Sequence, residues 1–380
     1  MSHESSRLGD VIGMKIKIEK MEYIYLLIVL FVLSLGFVYR NKMISSCIFL
    51  LLWILLIVIS LKYNKNSNPF DIETSMALRG ACAIEIMLGH LGLLTGNIYL
   101  FANRKAGILI VGVFFMLSGY GLDLAYNKKK DYLNHFLSRR IPLILLPCII
   151  VVLIDRVINI LLFNKKYYSM SAFWGIDEPV WYIYELCVLY ILFWLITKWF
   201  KDKNWIVLLG LCSCFVCIAY FTDIPSPYYG STLCFPLGIM ANVYYNKLDK
   251  RIKTIIVPIV MIVILLSSFV IFFAYGENWF TETIIRNMAA VSFCVIMLCF
   301  LQNFVMRGKI ISWLGSISLE IFLLHEYVEY ALVNIGVYKK VSQYVFILCV
   351  IIISIVLAIP LKKINGYIQS KIRKIAKNKI

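Results

Sequence analysis

Negative charge is scarce in this chain: 21 Asp and Glu stand against 38 Lys and Arg in 380 residues, a formal net charge of +17. There is no Walker loop and no G-x-G-x-x-G, so neither phosphate-cradling fingerprint of nucleotide-dependent enzymes is present. No repeat of 20–50 residues is evident, which argues against a solenoid or propeller. Long polar regions are also missing. The longest, residues 1–22 and 362–380, leave no room for a separate soluble catalytic domain. The eleven cysteines all fall in apolar segments and read as small apolar helix residues. Cys212, Cys214 and Cys217 include a C-x-x-C spacing, but no His or acid accompanies them, so metal or redox chemistry stands only as the alternative.

What the chain does have is apolar length. It is 61% hydrophobic with a mean hydropathy of +0.84, and its apolar runs reach the roughly 17–25 residues that a membrane-spanning helix needs. The expected fold is an all-α polytopic membrane protein of about twelve transmembrane helices. Two lead, near 23–39 and 44–61. Ten follow the polar linker 62–75, near 76–96, 106–126, 141–163, 180–199, 205–221, 231–246, 254–275, 284–306, 313–333 and 342–361. The domain reading is therefore a cytoplasmic tail (1–22), two additional helices (23–61), a linker (62–75), a ten-helix core (76–361) and a basic tail (362–380).

The positive charge is topological. Lys and Arg concentrate in alternate polar segments, among them 127–140, 246–253 and the two ends, which by the positive-inside rule places both termini in the cytoplasm of a cell-membrane protein. Nucleic-acid binding is not implied. The first apolar run lacks a small-residue cleavage site and reads as a retained span. The last tail carries seven Lys/Arg and no acid, with Ile364, Ile368, Ile372 and Ile375 at helical spacing. It fits an amphipathic anchor on an anionic inner leaflet. Gly92 and Gly96 form a G-x-x-x-G that suits tight helix packing.

The outer connections are rich in aromatics and acids: Tyr167, Tyr168, Trp174, Asp177, Glu178 and Trp181, then Tyr228 and Tyr229, then Glu277, Trp279 and Glu282. An interfacial aromatic belt explains them. So does a sugar-binding rim, since flat rings stack on pyranose faces while carboxylates accept hydroxyl hydrogen bonds.

Ionisable residues inside spans are costly and mark function. Arg79 and His90 are eleven positions apart, which puts them within about 20° on one helix face and about 16 Å apart along the axis. One face thus carries a cation near the inner surface and a titratable base towards the outer. His325 reaches a similar depth in a later span, flanked by Glu326 and Glu329, while Glu185 enters from the outer end of its own helix. These residues are candidates for an outer acid/base cluster; separate polar residues satisfied by backbone or water are the alternative. At the inner side Arg79, Arg139 and Arg140 suit bidentate phosphate binding, beside Ser118-Gly119, where the backbone can be closely approached. Positive-inside anchoring also explains the Arg139-Arg140 pair. Asp155-Arg156 reads as an internal ion pair or a pathway lining.

Four stretches together resemble the acyltransferase-3 family of integral membrane acyltransferases. Leu78-Arg79-Gly80 to His90 resembles its R-x10-H signature, and Phe114-Phe115-Met116-Leu117-Ser118-Gly119-Tyr120 its F-F-x-x-S-G-[FY] element. Phe136-Leu137-Ser138-Arg139-Arg140 with Pro142 and Pro147 is similar to its arginine-rich stretch, with two adjacent arginines where the family often has a further one. Ile317 to His325 resembles its late I-S-x-x-I-[FY]-L-x-H element. The resemblance covers 76–361 and leaves the two leading helices outside.

It implies transfer of an acyl group, acetyl above all, from cytosolic acyl-CoA to a hydroxyl of a cell-surface or exported glycan, without a metal. Under it, His90 is the base, with His325 and Glu326 orienting the acceptor or His90, and a transient acyl-histidine remains open. Arg79, Ser118, Gly119, Arg139 and Arg140 would contact the donor, and Glu185 and Trp181 the acceptor, a glycan or lipid-linked saccharide. The richness in Ile, Lys and Asn fits an AT-rich bacterial genome. A transporter of a lipid-linked saccharide is the alternative from another class, with Glu85, Asp155, Arg156 and Glu320 lining its path. A structural role in a polysaccharide assembly is a third.

Overall fold

The computed structural model describes residues 55–377 apart from 65–67, 97–99, 167, 170–172, 175–179, 223 and 245–254. The tail 1–22, the expected helix 23–39, most of 44–61, and Tyr167, Asp177 and Glu178 lie outside the described residues.

After a helical stretch over 55–60, the elements run β1 (Leu61–Tyr63), α1 (Ile72–Thr95), α2 (Phe101–Lys128), α3 (Phe136–Phe163), α4 (Trp181–Phe200), α5 (Asn204–Phe221), α6 (Cys234–Tyr244) and α7 (Val257–Tyr275). Then come α8 (Arg286–Leu301), β2 (Phe304–Met306), α9 (Lys309–Ser316), α10 (Ser318–Asn334), the short α11 (Val337–Lys340) and α12 (Gln343–Lys377). Among the described residues, eight helices are long and apolar enough to cross a membrane. The chain is a multi-pass membrane protein.

Three expected core spans take other forms. The span at 231–246 is α6, only 11 residues long. The span at 313–333 is broken at Ile317 into α9 and α10, because the turn lets Gly315 press against the backbone of α1. The span at 284–306 ends at Leu301, after which Phe304–Met306 turns to pair antiparallel with Leu61–Tyr63. That pairing, extended by Asn64 N–H to Asn303 O (2.9 Å) and Arg307 N–H to Ser60 O (2.7 Å), stitches the start of the expected linker into the core. At the other end α12 runs without interruption from 343 to 377, so the basic tail continues the last helix.

Glycine sets the closest helix approaches. A Cβ on Gly80 would overlap the Ile311 carbonyl and one on Gly315 the Met76 carbonyl, so α1 and α9 meet backbone to backbone. Gly119 and Gly238 do the same for α2 and α6, against the Phe235 and Met116 carbonyls. Gly96 is not a packing glycine: it closes α1 in the left-handed conformation (φ 61°) with open space around it. The start of α1 is fixed by Asp71, whose carboxylate accepts from Thr74 N–H (2.9 Å) and Thr74 Oγ1–H (2.6 Å), satisfying an orphan donor of the first turn.

Several charges within the spans are matched. Arg156, 3% exposed, pairs with Asp155 (2.7 Å) and donates through Nε to the Phe173 carbonyl, the internal pair expected for these two. Glu320 lies 3.7 Å from Lys362 on α12, and Asn103 donates to Glu85 (2.6 Å). Buried Asp123 accepts from Asn127, Asn204 and Asn242, tying α2 to α5 and α6. The ten described cysteines form no disulfide; Cys212 is buried, while Cys214 and Cys217 point outward from α5, so they do not converge on a metal.

Candidate active site

α1 and α10 pack side by side and place two histidines against each other. On α10, Ser318, Phe322, His325, Glu326 and Glu329 recur at spacings of three and four, which forms one stripe. That stripe meets the α1 face carrying Arg79, Ile86 and His90. The His90 and His325 rings are 5.1 Å apart, edge to face. Glu326 Oε1 stands 3.4 Å from His90 Nδ1 and 3.9 Å from His325 Nε2. His325 is fully buried, and its Nδ1 lies 2.6 Å from the Phe322 carbonyl. A carbonyl only accepts, so the proton of the neutral ring sits on Nδ1 and Nε2 carries the lone pair. His90 is the accessible member, its side chain one-third exposed.

Two cavities meet at this stripe. The one at the His90 end of α1, named the outer cavity after the orientation expected from the sequence, is about 340 Å³ and is lined by His90, Trp181, Ser226, Phe269, Phe272 and Arg286 among others. The inner one, about 140 Å³, is lined by Arg79, Phe114, Ser118, Tyr182, Tyr190 and Ser318 among others. Phe322 lines both. Its ring packs on Tyr182 (5.0 Å) and reaches His325 (5.7 Å), so one aromatic side chain divides the two spaces.

The donor-side candidates separate in space. Arg79 and Ser118 share the inner cavity. Arg140 belongs to the first turns of α3 rather than to a loop, and its Nε donates to Tyr132 Oη (3.0 Å). Arg139 is exposed. Gly119 faces α6 and serves helix packing.

The acceptor-side candidates separate too. Trp181 lines the outer cavity with His90. Glu185 lines another cavity, of about 410 Å³, with Tyr184, Tyr228 and Thr232, and accepts from Thr232 Oγ1–H (2.7 Å). Glu185 is thus not part of the His90 cluster. Glu329, one turn beyond Glu326, is buried.

Sequence reading places Arg286 within a span but gives it no role. Its Nη1 pairs with Glu282 (2.8 Å) and donates to Ser226 Oγ, and its guanidinium lies 5.4 Å from the Phe272 ring centre, all at the wall of the His90 cavity. The signal was present: a glutamate and an arginine four residues apart inside an apolar helix.

His90, His325 and Glu326 each offer a possible metal ligand, within 4.8 Å of one another. Donors around a tetrahedral zinc stand about 3.3 Å apart, given ligand bonds near 2.0–2.1 Å. The observed spread is wider, and it suits proton handling: a ring nitrogen facing a carboxylate, with the opposite nitrogen available to a substrate proton.

No curated protein and no solved structure matches the chain significantly. The family described as Acyltransferase domain matches residues 74–363, about three quarters of the sequence. The matched segment holds α1 with Arg79 and His90, α10 with His325 and Glu326, and both cavities between them, and on that match the chain belongs to the acyltransferase-3 family of membrane acyltransferases.

Proposed function

We propose that the protein is a plasma-membrane O-acyltransferase, with both termini cytoplasmic, that moves an acetyl group from cytosolic acetyl-CoA to a hydroxyl of a cell-surface or exported glycan or its lipid-linked precursor. The observation that supports this reading is the packing of buried His325 and Glu326 against His90, which lines the outer cavity beside Phe322, the residue both cavities share. The basic segments and the α12 tail then face an anionic inner leaflet.

In this reading the donor's phosphates lie at the cytoplasmic mouth near Arg140, and the inner cavity with Arg79 and Ser118 takes the thioester end of the slender pantetheine arm. The acceptor hydroxyl comes to His90 from the outer cavity. His90 removes its proton through Nε2 as the oxygen attacks the thioester carbonyl, while Glu326 at Nδ1 stabilises the imidazolium that forms. The carbon–sulfur bond breaks, and coenzyme A leaves as the thiol, taking the proton from His90. His325, buried beside His90 and held by the Phe322 carbonyl, packs its ring against the His90 imidazole and so positions the base rather than the acceptor.

The transporter reading needs buried charges along a shared path. Asp155, Arg156, Glu85 and Glu320 are engaged with their neighbours, and none lines the cavities described above. The deciding experiment incubates membranes carrying wild-type or His90→Ala protein with radiolabelled acetyl-CoA and follows base-labile label into glycan and lipid fractions. Label with wild type alone is the expected result. Equal label from both proteins refutes the role of His90, and no label in any fraction refutes acyl transfer.

A further inference from the structure

Arg286 has no place in the acyl-transfer chemistry, yet it lies on the wall of the cavity that holds His90. Among the described lining residues it is the only permanently charged side chain; the rest, His90 apart, are apolar, aromatic or hydroxylic. Its neighbours immobilise it. Nη1 is shared between Glu282 Oε2 and Ser226 Oγ, and the guanidinium lies against Phe272. Nε and Nη2 make no hydrogen bond among the described residues, so two donor nitrogens with three N–H bonds remain for whatever fills the space.

Facing the same space is Trp181, wedged between Tyr182 (6.1 Å) and Tyr228 (5.6 Å) and so held as a fixed flat platform. A rigid ring, a fixed pair of donors and a hydroxyl suit a ligand with an apolar face and equatorial oxygens, which describes a pyranose. The cavity volume lies in the range of about 300–1,000 Å³ typical of small-ligand pockets.

Charge narrows the class further. Glu282 compensates Arg286, so the pair brings no net positive charge, and Glu326 lies behind His90. A sugar carboxylate placed here would be an unmatched negative charge in a poorly solvated site, whereas hydroxyl and ring oxygens accept from a compensated guanidinium without that cost.

We propose that the outer cavity is a subsite for an uncharged sugar ring, stacked on Trp181 and hydrogen-bonded by the open edge of Arg286, with Glu282 excluding acidic sugars. This rests on the acceptor being a glycan and adds which kind of ring it presents.

The test is binding, read without acyl transfer. Full-length protein in lipid nanodiscs is titrated with methyl glycosides of glucose, galactose and mannose and with the matched methyl uronates, by saturation-transfer NMR. At least one neutral glycoside should bind saturably, and its matched uronate more weakly. Arg286→Ala and Trp181→Ala should each weaken the neutral ligand roughly tenfold or more, the worth of about one charge-assisted hydrogen bond or one lost stacking face. Arg286→Lys keeps the cation opposite Glu282 but loses the planar fork, so it should melt like wild type and still bind poorly. Glu282→Gln should raise uronate binding relative to the neutral ring. The proposal is overturned if no neutral glycoside binds in an Arg286- and Trp181-dependent way, or if the uronate binds wild type as well as its neutral counterpart. Glycoside binding that meets these terms in a protein that never labels an acceptor would leave the subsite standing and remove the acyltransferase reading. Labelling that is indifferent to Arg286 would do the reverse.

Discussion

Glu326→Gln removes a charge from the candidate site while keeping the shape of the side chain. Glu326 Oε1 lies 3.4 Å from His90 Nδ1. Two unit charges at that separation attract by about 5 kcal/mol at an effective dielectric of 20. That attraction exists only once His90 has become an imidazolium, so it stabilises the transition state rather than the resting site. His90 is one-third exposed, and solvent screening together with the amide's remaining hydrogen bond leaves a loss of about 2–3 kcal/mol. The turnover number should fall roughly 30- to 150-fold, with the Michaelis constant for acetyl-CoA unchanged, because Arg79 and Ser118 are in the other cavity. The assay is single-turnover transfer of label from acetyl-CoA in nanodiscs at saturating donor, with a thermal melt to confirm that the variant is folded. A folded variant within threefold of wild type would refute the idea that Glu326 stabilises His90 during proton transfer.

The same geometry yields three further expectations. Arg79→Ala should raise the Michaelis constant for acetyl-CoA roughly tenfold or more with a smaller change in turnover, the signature of a lost charge-assisted donor contact in steady-state kinetics. Phe322→Ala should open the inner cavity to the outer, raising hydrolysis of acetyl-CoA relative to transfer when free thiol and acylated product are measured side by side. Gly80→Ala should destabilise the fold by about 1–3 kcal/mol, visible as a lower melting temperature in detergent, because the new methyl meets the Ile311 carbonyl across a backbone-to-backbone contact.

Helical periodicity made much of this arrangement legible in the sequence. The shared face of Arg79 and His90 follows from spacing alone, and the matching depth of His325 from counting residues into its span. What could not be read was which residues of different helices meet. Glu185 has a similar depth but faces α5 and Thr232, because rotation about the helix axis is set by packing that a single chain does not reveal. Gly119 looked like an opening for a ligand and is filled by the Phe235 carbonyl. Boundaries failed where local chemistry overrides hydropathy. The Asp71 cap starts α1 at Ile72, four residues before the apolar run at Met76. The pairing of Phe304–Met306 with Leu61–Tyr63 turns an apolar helix tail into a strand. Arg286 was given no role because two of its partners, Ser226 between α5 and α6 and Phe272 on α7, come from other segments, and only Glu282 lies on its own.

The two sides of the site are packed differently, and this bears on how acceptor choice would be set. The inner cavity is walled by α1, α2, α3, α4 and α10, of which α1 and α2 are clamped to their neighbours through glycine-mediated backbone contacts that admit no extra atom. The outer cavity shares α1 and α2, but its far wall is α7, through Ser268, Phe269, Phe272 and Phe273. α7 packs chiefly on α8 and the turn before it, and Ser268 is its only buried residue. α7 thus reaches the rest of the fold chiefly through α8, whereas the inner wall is held by direct backbone contacts between its own helices and their neighbours. Under the proposed reading, donor geometry is set by those backbone contacts and acceptor geometry by side chains on a helix joined to the fold chiefly through α8. Replacing the apolar residues of α7 should change which acceptor is used and leave the affinity for acetyl-CoA as it is. The converse holds for α1 and α2, where a change large enough to alter specificity would first unseat the helices that hold Arg79, His90 and Ser118.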